Sequence, residues 1–108
     1  MCHYKTLHHC KDGYVLRCEH CKHLHVGFGT TVLAFTSDQF YEFGEQVEEQ
    51  YELHCNDRER HRKHICIPTA VKSVTLIYSP EDLERLRVLL DKAKERLSLE
   101  KLFVFHDN

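Results

Sequence analysis

The chain has 108 residues, of which 42% are hydrophobic and 30% charged, with a formal net charge of −2. That length suits one core rather than two, and that balance belongs to a folded domain, not a disordered one. No stretch nears the roughly 18 apolar residues of a membrane span, and the charge excludes a generic polyanion binder, which needs a clustered positive field.

Six cysteines and ten histidines are the unusual part of the composition. The opening Met1-Cys2-His3-Tyr4-Lys5 lacks the apolar run of a signal peptide. A cytoplasmic setting with reduced thiols is therefore expected, and metal ligation must be weighed against plain buried thiols.

A hairpin is predicted first, with flanks Tyr4 to His9 and Tyr14 to Cys18 around the turn Cys10-Lys11-Asp12-Gly13. Gly13 is read as supplying the positive φ that follows a type I turn. That register sets Cys10 opposite Tyr14 and Thr6 opposite Cys18, and leaves Cys10 and Cys18 about 13 Å apart, too far to share an ion.

The turn Cys18-Glu19-His20-Cys21 follows. Beyond it one unit is used twice: a short strand, a turn, a second strand, then a helix. The first copy runs through Val26-Gly27-Phe28 and Val32 to Phe35, then a helix from near Ser37 with Phe40, Phe43, Val47 and Tyr51 on one face. Gly44 weakens that helix by about 1 kcal/mol relative to alanine.

A polar stretch, His54 to His64, has no hydrophobic periodicity and reads as a loop. The second copy has Ile65-Cys66-Ile67 and Val74 to Tyr78, then a helix capped by Ser79 with Pro80 in its first turn. Leu83, Leu86, Leu90, Ala93 and Leu97 form its apolar stripe. The tail Leu102 to Phe105 reads as an edge strand or an extension of that helix.

The expected fold class is α+β: an antiparallel sheet with an N-terminal hairpin and two strand-strand-helix units, both helices packed on one face. One domain spans 1–108, divided as hairpin and turn (1–22), first unit (23–53), polar loop (54–64), second unit (65–98) and tail (99–108).

Cys18 and Cys21 carry the chemical signal. Two intervening residues let one turn aim both thiolates at a single ion, and zinc accepts thiolate and imidazole together. Without a second matched pair, the competing reading is two small buried hydrophobes. His61 and His64 are the expected partners, because the repeat places them before the fifth strand as Cys18 and Cys21 precede the third. Their spacing is one residue short of the usual range. Cys55 with His54, Cys66, Cys10 and Cys2 are the alternates.

The expected function is a zinc-stapled, non-enzymatic domain acting through protein contacts, with a homodimer through the Leu83–Leu97 helix as a further use of the leucine stripe. The first alternative is a nucleic-acid-binding zinc module using the Arg58–His64 loop. Its basic residues lack interleaved aromatics, so pairing with the acidic face of the first helix is the preferred reading. The second is a thiol-disulfide redox protein at Cys18/Cys21, disfavoured because no amphipathic helix follows Cys21. No catalytic motif is present; Gly27-Phe28-Gly29 precedes a strand and reads as close packing or a turn.

Taken together, the opening Met-Cys-x-Tyr-Lys, the Cys-x2-Cys turn, Phe28-Gly29-Thr30 and the closing Ser-Pro-Glu-Asp-Leu helix resemble small uncharacterised proteins of Bacteroidetes-type bacteria. The resemblance covers nearly the whole chain. It implies a bacterial cytosolic protein and carries no activity.

Overall fold

A computed structural model describes the backbone of residues 3–106 and the side chains of residues 3–101. The elements run β1 (Tyr4–Cys10), β2 (Gly13–Cys18), β3 (Leu24–Phe28), β4 (Thr31–Phe35), α1 (Ser37–His54), β5 (Ile65–Pro68), β6 (Thr75–Tyr78) and α2 (Pro80–His106). The fold is α+β, with an opening hairpin and two strand-strand-helix units. The strands form two antiparallel sheets, β1-β2-β3-β4 and β5-β6.

The first hairpin departs from expectation in two respects. Its loop has two residues, since Cys10 pairs with Gly13 and Tyr4 with Cys18. The register shifts between Thr6 and His8, so Leu7 is an extra residue in β1, and it is buried. A bulge of this kind cannot be read from period-2 alternation, because it breaks the alternation.

Gly13 does not have a positive φ; Gly29, in the β3–β4 turn, does (φ 61°). Close packing is what requires glycine at 13: a Cβ there would lie 2.0 Å from the Gly27 carbonyl oxygen. Gly27 in turn faces its cross-strand partner Tyr14, whose ring fills the space a side chain would need.

Both helices begin with reciprocal caps. Thr36 and Gln39 cap α1, one residue earlier than Ser37. Ser79 and Asp82 cap α2 through two bonds of 3.0 Å. Each pair satisfies backbone donors that the first helical turn leaves unpaired.

The core lies between the sheets and the helices. Phe40, Phe43 and Val47 of α1 meet Leu83, Leu86, Leu89, Leu90 and Ala93 of α2, with Val15, Leu24 and Val26 from the large sheet. In the small sheet, Ile65 pairs with Tyr78 and Ile67 with Leu76, and these four face the core.

The leucine stripe of α2 is buried in this core, so it offers no free face for the homodimer expected through Leu83–Leu97. Val88, on the outer side of α2, is exposed. The backbone of the tail continues α2 as helix to His106 rather than forming an edge strand.

Candidate metal centres

The turn after β2 is tightly organised. The Cys18 N–H donates to the His23 carbonyl at 2.9 Å, and the Lys22 N–H to the Cys18 carbonyl at 2.8 Å. Lys22 has φ 66°, a left-handed conformation uncommon without glycine, held here by the turn's hydrogen bonds. The Cys21 N–H points at the Cys18 Sγ, 3.4 Å away.

Cys18 is buried and Cys21 exposed. The N-terminal segment crosses this turn, since the Glu19 N–H donates to the His3 carbonyl at 2.7 Å. Cys2 lies outside the described residues. Arg17 anchors the turn to α2: its guanidinium reaches Glu100 at 2.5 Å and Glu19 at 3.3 Å. The bonds from Arg17 and then Lys22 hold the Glu19 carboxyl below its ordinary range.

A second constellation closes the end of α1. His54 ends that helix, Asp57 follows in the turn, and His64 immediately precedes β5. One carboxylate oxygen, Asp57 Oδ2, lies 2.7 Å from His54 Nδ1 and 3.1 Å from His64 Nε2. The two imidazoles meet edge to face with centroids 5.4 Å apart. Bonds from His54 and then His64 hold the Asp57 carboxyl below its ordinary range. Among the described residues, this is the group of three His, Cys, Asp or Glu side chains close enough to hold one ion, with all donor atoms within 4.8 Å of one another.

These two places stand at opposite ends of α2. Arg17, next to Cys18, binds Glu100, whereas His61 binds Glu81 at 2.5 Å. Nineteen residues of helix separate those carboxylates, about 28 Å at 1.5 Å per residue. The fold therefore does not assemble one site from Cys18, Cys21, His61 and His64. The strand-strand-helix repeat suggested that it would, but the two units form separate sheets rather than one symmetric layer.

Among the alternates, Cys66 is exposed on β5, Cys55 points at the Glu52 carbonyl, and Cys10 packs at the edge of the core. Cys10 pairs with Gly13, at the far end of the ladder from Cys18. Asp57 had no place in the expected ligand set, and His54 stood in it only as an alternate beside Cys55. Their spacing, a histidine ending a helix and an aspartate three residues on, was visible, but nothing local brings His64 to meet them.

The basic run also finds partners other than those expected. Arg60 binds Glu84 at 2.5 Å and Lys63 binds Asp82 at 2.6 Å, both in the first turns of α2; Arg62 binds Glu59 at 3.1 Å. The acidic face of α1 instead sends Glu48 to Arg87 of α2 at 2.6 Å. With three of its four cations engaged internally, the Arg58–His64 loop is a weak electrostatic footprint for nucleic acid.

The arrangement defines a small α+β domain, and among the described residues no helix is long and apolar enough to cross a membrane. The chain belongs to the family of unknown function DUF6686, whose family model matches residues 1–107. No curated protein and no solved structure matches it.

Proposed function

We propose that this protein is a zinc-binding, non-enzymatic domain in which an ion held by Cys18 and Cys21 clamps the end of the opening hairpin, and that it acts through contacts with other proteins. The observation that carries this reading is the Cys18–Cys21 turn. Its backbone aims an N–H at one sulfur and adopts a left-handed residue directly after the second cysteine. Two buried hydrophobes need neither feature, and Cys21 is in any case exposed.

Candidates for the further ligands are His20 and His23 within the turn and His3 in the segment bonded to Glu19, which side-chain movement would have to carry onto the two sulfurs. A chain of this size, with a modest core, gains from such a cross-link. Protein contact is supported by the groove beside β4, the last strand of its sheet, where Val32, Val71 and Val74 are exposed around Leu33 and Phe43.

Metal analysis of the purified full chain tests the reading. At least one equivalent of zinc is expected, and Cys18→Ser should bind one equivalent less than wild type; an unchanged zinc content in the variant would count against the reading. Less than a tenth of an equivalent after zinc-replete purification would overturn it.

A further inference from the structure

We propose that His54, Asp57 and His64 form a second metal site, a zinc centre of two imidazoles and one carboxylate with its fourth position open to solvent. It is independent of the thiolate turn, from which α2 separates it.

The argument begins with the tautomer of His64. Its Nδ1 lies 2.9 Å from the Arg62 carbonyl oxygen. A carbonyl only accepts, so Nδ1 carries the hydrogen. In the neutral ring Nε2 then presents a lone pair, and it faces Asp57 Oδ2, another acceptor, at 3.1 Å. Two lone pairs do not hold that distance alone. Either a second proton sits on the ring, or a cation lies between them.

Three features favour a metal ion in that role. An Nδ1–H to a backbone carbonyl is the outer bond that orients a metal-bound histidine. His54 Nδ1 approaches the same oxygen from another side at 2.7 Å, giving three donors around one point. Tetrahedral zinc with bonds of about 2.0–2.1 Å sets neighbouring donors about 3.4 Å apart; these lie within 4.8 Å of one another, so modest side-chain movement admits the ion.

The donor set selects the metal class. Two imidazoles with one carboxylate suit zinc and other first-row transition ions such as iron(II), and not magnesium or calcium, which take oxygen ligands; zinc is the one that favours four-coordinate tetrahedral binding. The three side chains remain 28%, 33% and 29% exposed, so water reaches the open position. Occupied, the site ties the end of α1 to the start of β5 across the polar loop.

The test uses the full chain and follows the imidazole nitrogens of His54 and His64 by NMR during zinc titration. Both sets of resonances are expected to shift with zinc and to stay in place with magnesium. The zinc response weakens as pH falls, because protons compete for the ring nitrogens. A Cys18→Ser/Cys21→Ser variant keeps these shifts, which separates this site from the thiolate one. In His64→Ala the affinity read at His54 falls more than about tenfold, the loss expected for even an outer partner. Unshifted His54 and His64 resonances in the wild-type chain at tenfold excess zinc near neutral pH overturn the proposal, and the outcome then assigns the bridge to a proton.

Discussion

Cys21→Ser is the sharpest perturbation of the thiolate turn. Cys21 is exposed, and its structural contribution is a backbone N–H to Cys18 Sγ, which serine keeps. If the side chain were only surface, the change would stay within about 0.5 kcal/mol, or about 2 °C in a domain of this length. If Cys21 ligates zinc, the variant loses a term that grows as RT ln(1 + [Zn]/Kd). At one hundred times Kd this is about 2.7 kcal/mol, a fall in Tm of about 10 °C. The assay is thermal unfolding followed by circular dichroism, for wild type and variant, each with zinc and with chelator. Chelator should lower the Tm of wild type by about 10 °C more than that of the variant, which keeps only the response of the imidazole site. Cys18→Ser is less clean, because it also places a hydroxyl at a buried position. The reasoning is refuted if the Tm difference between zinc and chelator is the same in wild type and variant within about 2 °C.

Further outcomes follow from the packing and the charges. Gly13→Ala should destabilise by about 1–3 kcal/mol, because its Cβ meets backbone at Gly27 rather than a side chain that can rotate away. Gly13→Asn should be no better in denaturant unfolding; rescue by asparagine would show that a left-handed conformation had been the requirement. Ser79→Ala removes the bond to the Asp82 N–H and should cost about 0.5–2 kcal/mol in the same assay. Burial pushes the Glu100 carboxyl up, but bonds from Lys5 and Arg17 outweigh it and hold the group below the ordinary carboxylate range. A depressed carboxylate contributes stability above its unfolded pKa and loses it as pH falls through the folded value. Stability should therefore decline below about pH 4.5, and Glu100→Gln should flatten that acid limb; an unchanged acid limb in the variant would contradict the assignment.

The helices were legible because their signals are local. Ser79 and Asp82 cap α2 from three residues apart, and the spacing of Leu83, Leu86 and Leu90 marks the buried face at any tertiary position. The strand segments of β5 and β6 were legible too, and the structure buries Ile65, Ile67, Leu76 and Tyr78 from them. Gly27 and Gly29 also behave as read, one packed against a ring and the other turning the chain.

Register and ligand sets were not legible in this way. The bulge at Leu7 moves every pair below it by one residue, and only its burial against the helices makes it favourable. Lys63 meets Asp82 and Arg60 meets Glu84 because the polar loop folds over the start of α2, while α1, the nearer acidic element in sequence, turns its Glu48 to Arg87.

For this chain, residue order alone settles the kind of fold, the helix starts and the presence of thiol and imidazole donors, since each depends on spacings of a few residues. Which donors meet is settled by packing. The long rigid α2 holds Cys18 and His61 near its opposite ends, while the turn after α1 brings His54 and His64 to one Asp57 oxygen. Metal ligation acts over about 2 Å, and that distance is set by how the layers dock, not by separation along the chain.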